Sequence, residues 1–228
     1  MKSFLRQVEN KSAEYGDDRG QFYVGLSYYE GMIVEQDHAS ALKWFTLSAE
    51  KGYAIAQHYL GHMHYHGNGV PQDEREAIRW FKLSVDRECN EARVALGDIY
   101  GNPKNKEHNY DLAFKLYTDA MGAGYPIAYY KVGMMYYNGV GRPVNMIEAS
   151  KCFRQGSELD DMQCYYMLGV MYYYGKGVEK AAAEFIKAGM SKVSLKLYPD
   201  CRHEILNELD RQMVMEDILA WCDKQLEK

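Results

Sequence analysis

The sequence predicts an all-α solenoid, a stack of antiparallel helix pairs with a period of about 36 residues. Glycine recurs at a constant step of 36 residues, an interval typical of solenoid repeats. The same step carries alanine and aromatic columns with the spacing of a buried helical stripe, and a column of Asp or Asn suited to capping a helix. The glycines are Gly25, Gly61, Gly97, Gly133 and Gly169.

The first helix of each repeat, helix A, contains this glycine. It follows an aliphatic residue and precedes aromatic residues, as in the segment from Val132 to Tyr137. Glycine inside a helix costs about 1 kcal/mol relative to alanine, a cost that is offset where a neighbouring helix must approach closely. We therefore expect another helix to pack directly against each glycine.

The second helix, helix B, is predicted by the apolar spacing i, i+3, i+4, i+7, i+8. In the second copy the stripe begins at Ala77 and includes Phe81. The residue four positions before the alanine is expected to cap the helix. The caps are Asp37, Asp73, Asn109 and Asn145. In the third copy, residues 103–108 replace the Gly-x-Gly-Val turn and Gly101 replaces a tyrosine, so we expect a different loop there.

The pattern LGxMxYxGxGVPxDxxxAxxWFxxS, from Leu60 to Ser84, resembles the Sel1-like repeat family. The resemblance implies a right-handed superhelix of helix pairs, related to tetratricopeptide arrays. It also implies a non-catalytic protein-interaction scaffold, or adaptor, without a cofactor.

The repeats predict two domains. Residues 1–178 are expected to form the solenoid, with a half-repeat, four repeats and a second half-repeat. Residues 179–228 are expected to form a small strand-plus-helix cap, because Val193, Leu195 and Leu197 alternate with polar residues and a helical pattern follows. Such a cap would cover the open end of the array. The free edge of its strand could instead pair with a partner.

The segment from Val193 to Glu208 resembles the last strand and histidine loop of α/β-hydrolases of the monoacylglycerol-lipase and lysophospholipase type. In that family the residue matching His203 is the general base. However, the Gly-x-Ser-x-Gly nucleophile motif is absent, and Ser27, which comes nearest to it, lies in a predicted helix A. We therefore expect no catalytic residues. The alternative is a remnant serine hydrolase, or one completed by another chain, that uses His203.

Composition argues against a nucleic-acid partner and a membrane span, and the family resemblance implies a protein or peptide as partner. The formal charge is −5, which gives no basic excess for nucleic acid. No stretch approaches the roughly 20 apolar residues of a membrane span. The five cysteines form no CxxC pair, so we expect reduced thiols, no structural metal and a cytoplasmic location. The sequence leaves the oligomeric state open.

At three positions of helix A the type of residue differs widely between copies, whereas at the neighbouring positions it barely changes. They lie at −3, +1 and +5 from the glycine, spaced as one stripe along the helix. We call these positions the variable stripe and expect it to bind the partner on the concave side, with Tyr130, Tyr166 and Tyr174 as the main anchors. The candidate binding residues are Phe22, Leu26, His58, His62, His66, Tyr130, Met134, Tyr166, Val170 and Tyr174; the stripe also contains Glu30, Val94, Asp98, Asn102 and Asn138.

Two alternatives to this interpretation stay open. The variable stripe could be an ordinary solvated surface in which a few aromatic side chains pack between helices. His58, His62 and His66, spaced i, i+4, i+8, could hold a metal ion or form a pH-sensitive patch, although no acidic or cysteine ligand has a matching spacing.

Overall fold

The computed structural model describes residue 11 and residues 16–31 and 34–174, which form successive helices joined by short turns. The helices are α1 (Asp18–Glu30), α2 (His38–Glu50), α3 (Ala54–His66), α4 (Glu74–Val85), α5 (Asn90–Gly101), α6 (Tyr110–Gly122), α7 (Pro126–Asn138), α8 (Met146–Ser157) and α9 (Met162–Tyr174). Odd-numbered helices are the predicted helices A and even-numbered ones the predicted helices B. Each helix packs against its neighbours in the chain, so these residues form an all-α solenoid of helical hairpins.

Each helix B begins at its predicted cap. The Asp73 carboxylate accepts hydrogen bonds from the backbone amides of Arg75, at 3.0 Å, and Glu76, at 3.1 Å. These bonds satisfy donors that have no partner within the helix. The capping prediction is confirmed at Asp37, Asp73, Asn109 and Asn145.

The column glycines allow helices A and B of one repeat to touch. A Cβ placed on Gly61 would stand 2.6 Å from two atoms of the Phe81 ring, closer than real Cβ contacts come. The same approach occurs between Gly25 and Phe45, Gly97 and Tyr117, and Gly133 and Phe153. The predicted close packing is therefore confirmed at these four glycines. Within the part of the chain that the structure describes, no atom lies within 4 Å of the equivalent point at Gly169.

The turn after helix A differs in the third copy, as expected. In the first, second and fourth copies the helix ends at a left-handed glycine: Gly31 (φ 69°), Gly67 (φ 74°) and Gly139 (φ 70°). Helix α5 ends instead at Gly101, followed by extended Asn102. The third copy is therefore the one among these four in which helix A ends without a left-handed glycine.

The core lies between the two layers of helices. Phe45, Phe81 and Phe153 are at most 2% exposed, and Leu60, Met63 and Val132 at most 1%. Phe45, Phe81 and Phe153 belong to the aromatic column of helix B, Leu60 and Val132 directly precede a column glycine of helix A, and Met63 lies two residues after one. The repeat pattern therefore predicts the core directly.

Several sequence predictions lie outside the described residues. They are the half-repeat before residue 16, the strand and helix of the cap over residues 179–228, and His203. The domain boundary at residue 178 therefore stays a prediction. Among residues 11–174, apart from the gaps at 12–15 and 32–33, no helix has the length and apolar character needed to cross a bilayer.

Candidate protein-binding surface

The side chains of the variable stripe range from buried to exposed. Phe22 and Val94 are buried, whereas Glu30, His66, Asp98, Asn138 and Tyr166 are exposed. Leu26, His58, His62, Asn102, Tyr130, Met134 and Val170 are partly buried. The backbone of Tyr174 ends α9, and its side chain lies outside the described part of the structure. A partner can therefore reach the described side chains at the +1 and +5 positions. At −3, it can reach only some of them.

Phe22 and Val94 lie in the core, so the prediction that the variable stripe forms a binding surface is wrong at these two positions. Phe22 is 4% exposed, and its ring centroid lies 5.6 Å from that of Phe45 and 5.3 Å from those of Tyr53 and Tyr59. Phe22 is thus enclosed by helix B of the first repeat and by residues of the second repeat. We therefore leave Phe22 out of the surface proposed below.

The histidines of the second copy form a ring cluster that also involves the first copy. The hydroxyl of Tyr29 lies 3.1 Å from His62 Nδ1 and accepts a hydrogen bond of 3.2 Å from the Asn68 side-chain amide. The ring centroids of His62 and His66 are 4.3 Å apart. Packing between repeats therefore positions these histidines.

Burial and the neighbouring histidines both favour the neutral forms of His58 and His62. Burial lowers the pKa of His58 to about 4, with a further contribution from His62, while Glu91 acts in the opposite direction. Burial also lowers the pKa of His62, and His66 adds to the effect. Among the described residues, no three His, Cys, Asp or Glu side chains are arranged to hold a metal ion.

The stripe residues of the third and fourth copies come together in a cleft between α5 and α7. Its volume is ≈ 280 Å³. We call it the copy 3/4 cleft. Its walls contain five stripe residues, Asp98, Asn102, Tyr130, Met134 and Asn138, and five others, Gly101, Tyr117, Lys131, Met135 and Val140.

Asp98 organises one wall of the cleft. Its Oδ1 accepts a hydrogen bond of 2.6 Å from the Tyr117 hydroxyl and one of 2.7 Å from Lys131 Nζ. Tyr117 is 5% exposed, and burial raises its pKa, with the Asp98 charge contributing. Sequence reasoning missed Tyr117 because the other residues of its column pack against the helix A glycine, and it missed Lys131 because that residue lies outside the variable stripe. The signal that could have found the cleft was the glycine at position 101.

The predicted anchors Tyr130 and Tyr166 occupy equivalent positions on α7 and α9. Tyr166 is 44% exposed, which leaves a large part of its ring accessible to a partner. Tyr130 is partly buried, with its ring centroid 6.3 Å from that of Phe153. Burial raises the Tyr130 pKa, with contributions from Cys164 and Asp161. The Tyr130 phenol therefore stays neutral at physiological pH, and both side chains present an apolar ring with a polar end.

The serine nearest to a nucleophile motif has an ordinary structural role. Ser27 lies inside α1, and its hydroxyl donates a hydrogen bond of 3.0 Å to the carbonyl of Tyr23. Its position within the helix agrees with the sequence prediction, and it is not the exposed strand-to-helix turn that a hydrolase nucleophile occupies.

Comparison with known proteins identifies the repeats. The Sel1 repeat family model matches residues 18–53, 54–88, 90–120, 126–161 and 163–184. Each match pairs a helix A with the segment that follows it. A search of curated proteins finds no match.

Three solved structures share the architecture. A protective antigen of uropathogenic Escherichia coli strains with an SLR fold is 31% identical, with a TM-score of 0.68 over 74% of this chain, which spans only 36% of that protein. A Sel1 repeat protein from Oxalobacter formigenes is 24% identical, with a TM-score of 0.64 over 77% of this chain and 74% of its own. A Sel1 repeat protein from Klebsiella pneumoniae is 20% identical, with a TM-score of 0.55 over 82% of this chain and 91% of its own. Because the family model matches most of residues 18–184, the chain belongs to the Sel1 repeat family.

Proposed function

We propose that this protein is a non-catalytic scaffold that binds a protein or peptide along the variable stripe on the concave side of its A helices. Sel1 repeat proteins are typically protein-interaction scaffolds and generally non-catalytic. The proposed surface consists of Leu26, His62, His66, Asp98, Asn102, Tyr130, Met134, Asn138, Tyr166 and Val170, with His58 beneath it and Tyr174 at its end.

The observation that carries this proposal is the cleft lined by stripe residues of two consecutive copies. Asp98 lies in α5 and Asn102 directly follows it, whereas Tyr130, Met134 and Asn138 come from α7. A solvated surface without a binding role has no need for a concavity built from the variable positions. Concave sites with apolar walls and a few polar groups are typical of ligand recognition.

The chemistry of the surface favours a partner held by aromatic anchors. Tyr166 supplies an exposed ring, and Met134 supplies an adaptable apolar contact. Asp98 and Lys131 pair with each other, so they supply little net charge to attract a partner. The described cysteines Cys89, Cys152 and Cys164 are buried free thiols, which supports a reducing, cytoplasmic setting.

A site-specific photo-crosslinking experiment tests the surface in the cell. A benzophenone amino acid is placed at Tyr166 or Asn138 in the stripe, and at Tyr23 (59% exposed) or Ile147 (60% exposed) as controls elsewhere. We expect the stripe positions to crosslink to one shared protein that the control positions do not reach. Equal crosslinking from Tyr23 and Ile147 would contradict the proposed surface.

The purified partner then provides the quantitative test. Tyr166→Ala should weaken binding at least tenfold, because anchor residues carry most of the binding energy. Tyr23→Ala, which removes an equally large exposed ring outside the stripe, should change the Kd less than twofold. Melting temperatures of both variants show whether the fold is intact.

A further inference from the structure

The copy 3/4 cleft lies where the repeat pattern loses one side chain. The position four residues after each column glycine is a tyrosine in every copy except the third. There it is Gly101, which lines the cleft. The residues in this column are Tyr29, Tyr65, Gly101, Tyr137 and Tyr173.

Between the first two copies, the corresponding space is filled by Tyr29. Its ring centroid lies 5.6 Å from that of Tyr59, and its hydroxyl contacts His62 Nδ1 at 3.1 Å and the Asn68 amide at 3.2 Å. Tyr29 therefore projects from one helix A into a space bounded by helix A and the turn of the next repeat.

Two repeats later, the same three contact positions line the cleft. Residues 72 positions after Tyr59, His62 and Asn68 are Lys131, Met134 and Val140. All three belong to the cleft walls. The residue 72 positions after Tyr29 is Gly101, which has no side chain to enter the space. The cleft is thus the site of an absent tyrosine ring.

We propose that the copy 3/4 cleft receives the aromatic ring of a phenylalanine side chain from a partner protein, in place of the ring that Gly101 lacks. This inference rests on the proposed function, because it names the group that the binding surface recognises. The ring would insert between α5 and α7 and touch Met134 and Val140, as Tyr29 touches their counterparts.

At the positions that correspond to the partners of the Tyr29 hydroxyl, the walls of the cleft favour an uncharged ring without a hydroxyl. Asp98 and Lys131 are joined at 2.7 Å, so a charged occupant would have to break an existing pair. The two groups that contact the Tyr29 hydroxyl, His62 and Asn68, correspond to Met134 and Val140, which offer no such hydrogen bonds. Met134 and Met135 add sulfur atoms, which make favourable contacts with aromatic rings.

The size of the cleft agrees with one inserted side chain. Its volume of ≈ 280 Å³ is just below the range of pockets that hold whole ligands, which begins at roughly 300 Å³. A Cβ on Gly101 would lie 3.4 Å from the Tyr117 hydroxyl and 3.7 Å from the Ala113 Cβ, which are ordinary contacts. A side chain at position 101 is therefore sterically possible, so the cleft can be filled by substitution.

The test uses the full chain with carbon-13 methyl groups on methionine. The probes are N-acetyl-phenylalanine amide, N-acetyl-tyrosine amide and N-acetyl-leucine amide. We expect the phenylalanine probe to shift the Met134 and Met135 methyl signals saturably, with a Kd on the order of 1 mM, or about −4 kcal/mol. The tyrosine and leucine probes should bind at least threefold more weakly. Met134→Leu and Met135→Leu identify the two signals.

Variants at Gly101 separate the cleft from the rest of the surface. Gly101→Tyr should restore the pattern of the other copies, move the Met134 signal upfield without probe and abolish the probe-induced shift. Gly101→Ala, the matched control, should keep probe binding within twofold. Gly101→Leu fills the cleft without a ring, and it replaces the tyrosine variant if that variant melts more than 5 °C below the native chain.

The outcomes distinguish this inference from the proposed function. It is overturned if the phenylalanine probe gives no saturable shift, if another probe binds as tightly, or if the filled variant still binds. If Tyr166→Ala loses the crosslinked partner while Gly101→Tyr keeps it, the scaffold function stands and the cleft assignment fails. If the probe binds as expected but no partner crosslinks from the stripe, the preference of the cleft for a phenyl ring stands, whereas the proposed function and the partner as source of the ring fail.

Discussion

The Tyr117 hydroxyl donates a hydrogen bond of 2.6 Å to Asp98 Oδ1, joining helix B of the third repeat to the variable stripe of its helix A. Lys131 of the next repeat donates to the same oxygen at 2.7 Å. One carboxylate oxygen therefore links three helices, α5, α6 and α7, and sets the wall of the cleft. The bonds differ in burial, so their contributions to stability can be separated.

Asp98→Ala should lower the free energy of unfolding by about 2 kcal/mol, because it leaves the buried Tyr117 hydroxyl without its acceptor. Asp98→Asn retains an acceptor for Tyr117 and loses only the partly exposed ion pair, so it should cost less than about 1 kcal/mol. Urea denaturation of both variants measures the difference. Equal losses would show that the tyrosine hydrogen bond is not the main contribution.

Gly61→Ala should destabilise the protein although alanine is the better helix former. The new methyl group would overlap the Phe81 ring, and overpacking typically costs about 1–3 kcal/mol, against a helical gain of about 1 kcal/mol. Gly122→Ala, at an exposed position in the last turn of α6, is the matched control, because no described atom lies within 4 Å of its Cβ position, and it should be neutral or stabilising by up to about 1 kcal/mol. Thermal unfolding checks the opposite signs. A stabilising Gly61→Ala would refute the close-packing explanation of the glycine column.

Asp73→Ala should lower the stability of the protein by about 1 kcal/mol through loss of the cap on α4. Asp73→Ser retains a side-chain oxygen for the amides of Arg75 and Glu76 and should recover most of that loss. Chemical denaturation of the pair isolates the cap. If the serine variant is as unstable as the alanine variant, the capping hydrogen bonds are not responsible.

Stability should fall as the pH decreases from about 6.5 to about 4 because of His58. Its pKa is about 4 in the folded chain and ordinarily 6.5, so the unfolded chain binds the proton first. Above pH 6.5 the residue is neutral in both states and contributes no pH dependence. The loss at pH 4 is about 2 to 3 kcal/mol.

His58→Tyr tests this assignment, because tyrosine occupies the equivalent position at Tyr130 and Tyr166. The variant should reduce the dependence of the unfolding midpoint on pH between 4 and 6.5, while the contribution of His62, whose pKa is also lowered, remains. His66→Gln, at an exposed stripe position, should leave the slope nearly unchanged. If the native slope persists in His58→Tyr, another group causes the acid sensitivity.

The helices, caps and core could be predicted because each depends on local contacts that recur. Asp73 caps the helix that it precedes, and Gly61 meets Phe81 only 20 residues later within the same repeat. A recurring column thus reveals a contact repeated in every copy. Prediction from a recurring column fails where a copy departs from the pattern, because contacts with the neighbouring repeats then determine whether the side chain is buried.

Phe22 and Tyr166 illustrate that failure. Both occupy the −3 position, yet Phe22 is 4% exposed and Tyr166 is 44% exposed. Phe22 is enclosed by Tyr53 and Tyr59 of the following repeat, at ring distances of 5.3 Å. Burial at a variable position therefore depends on neighbours in another copy, which a column of single residues does not reveal.

The sequence by itself determined the repeat length, the helix pairs, their caps and the aromatic core, because these follow from hydrogen bonds and packing within about 36 residues. Only the tertiary structure decided which variable side chains are accessible and where a cleft opens. A glycine at position 101 leaves a cavity only because Lys131, Met134 and Val140 of the next repeat surround the space that a tyrosine ring would fill.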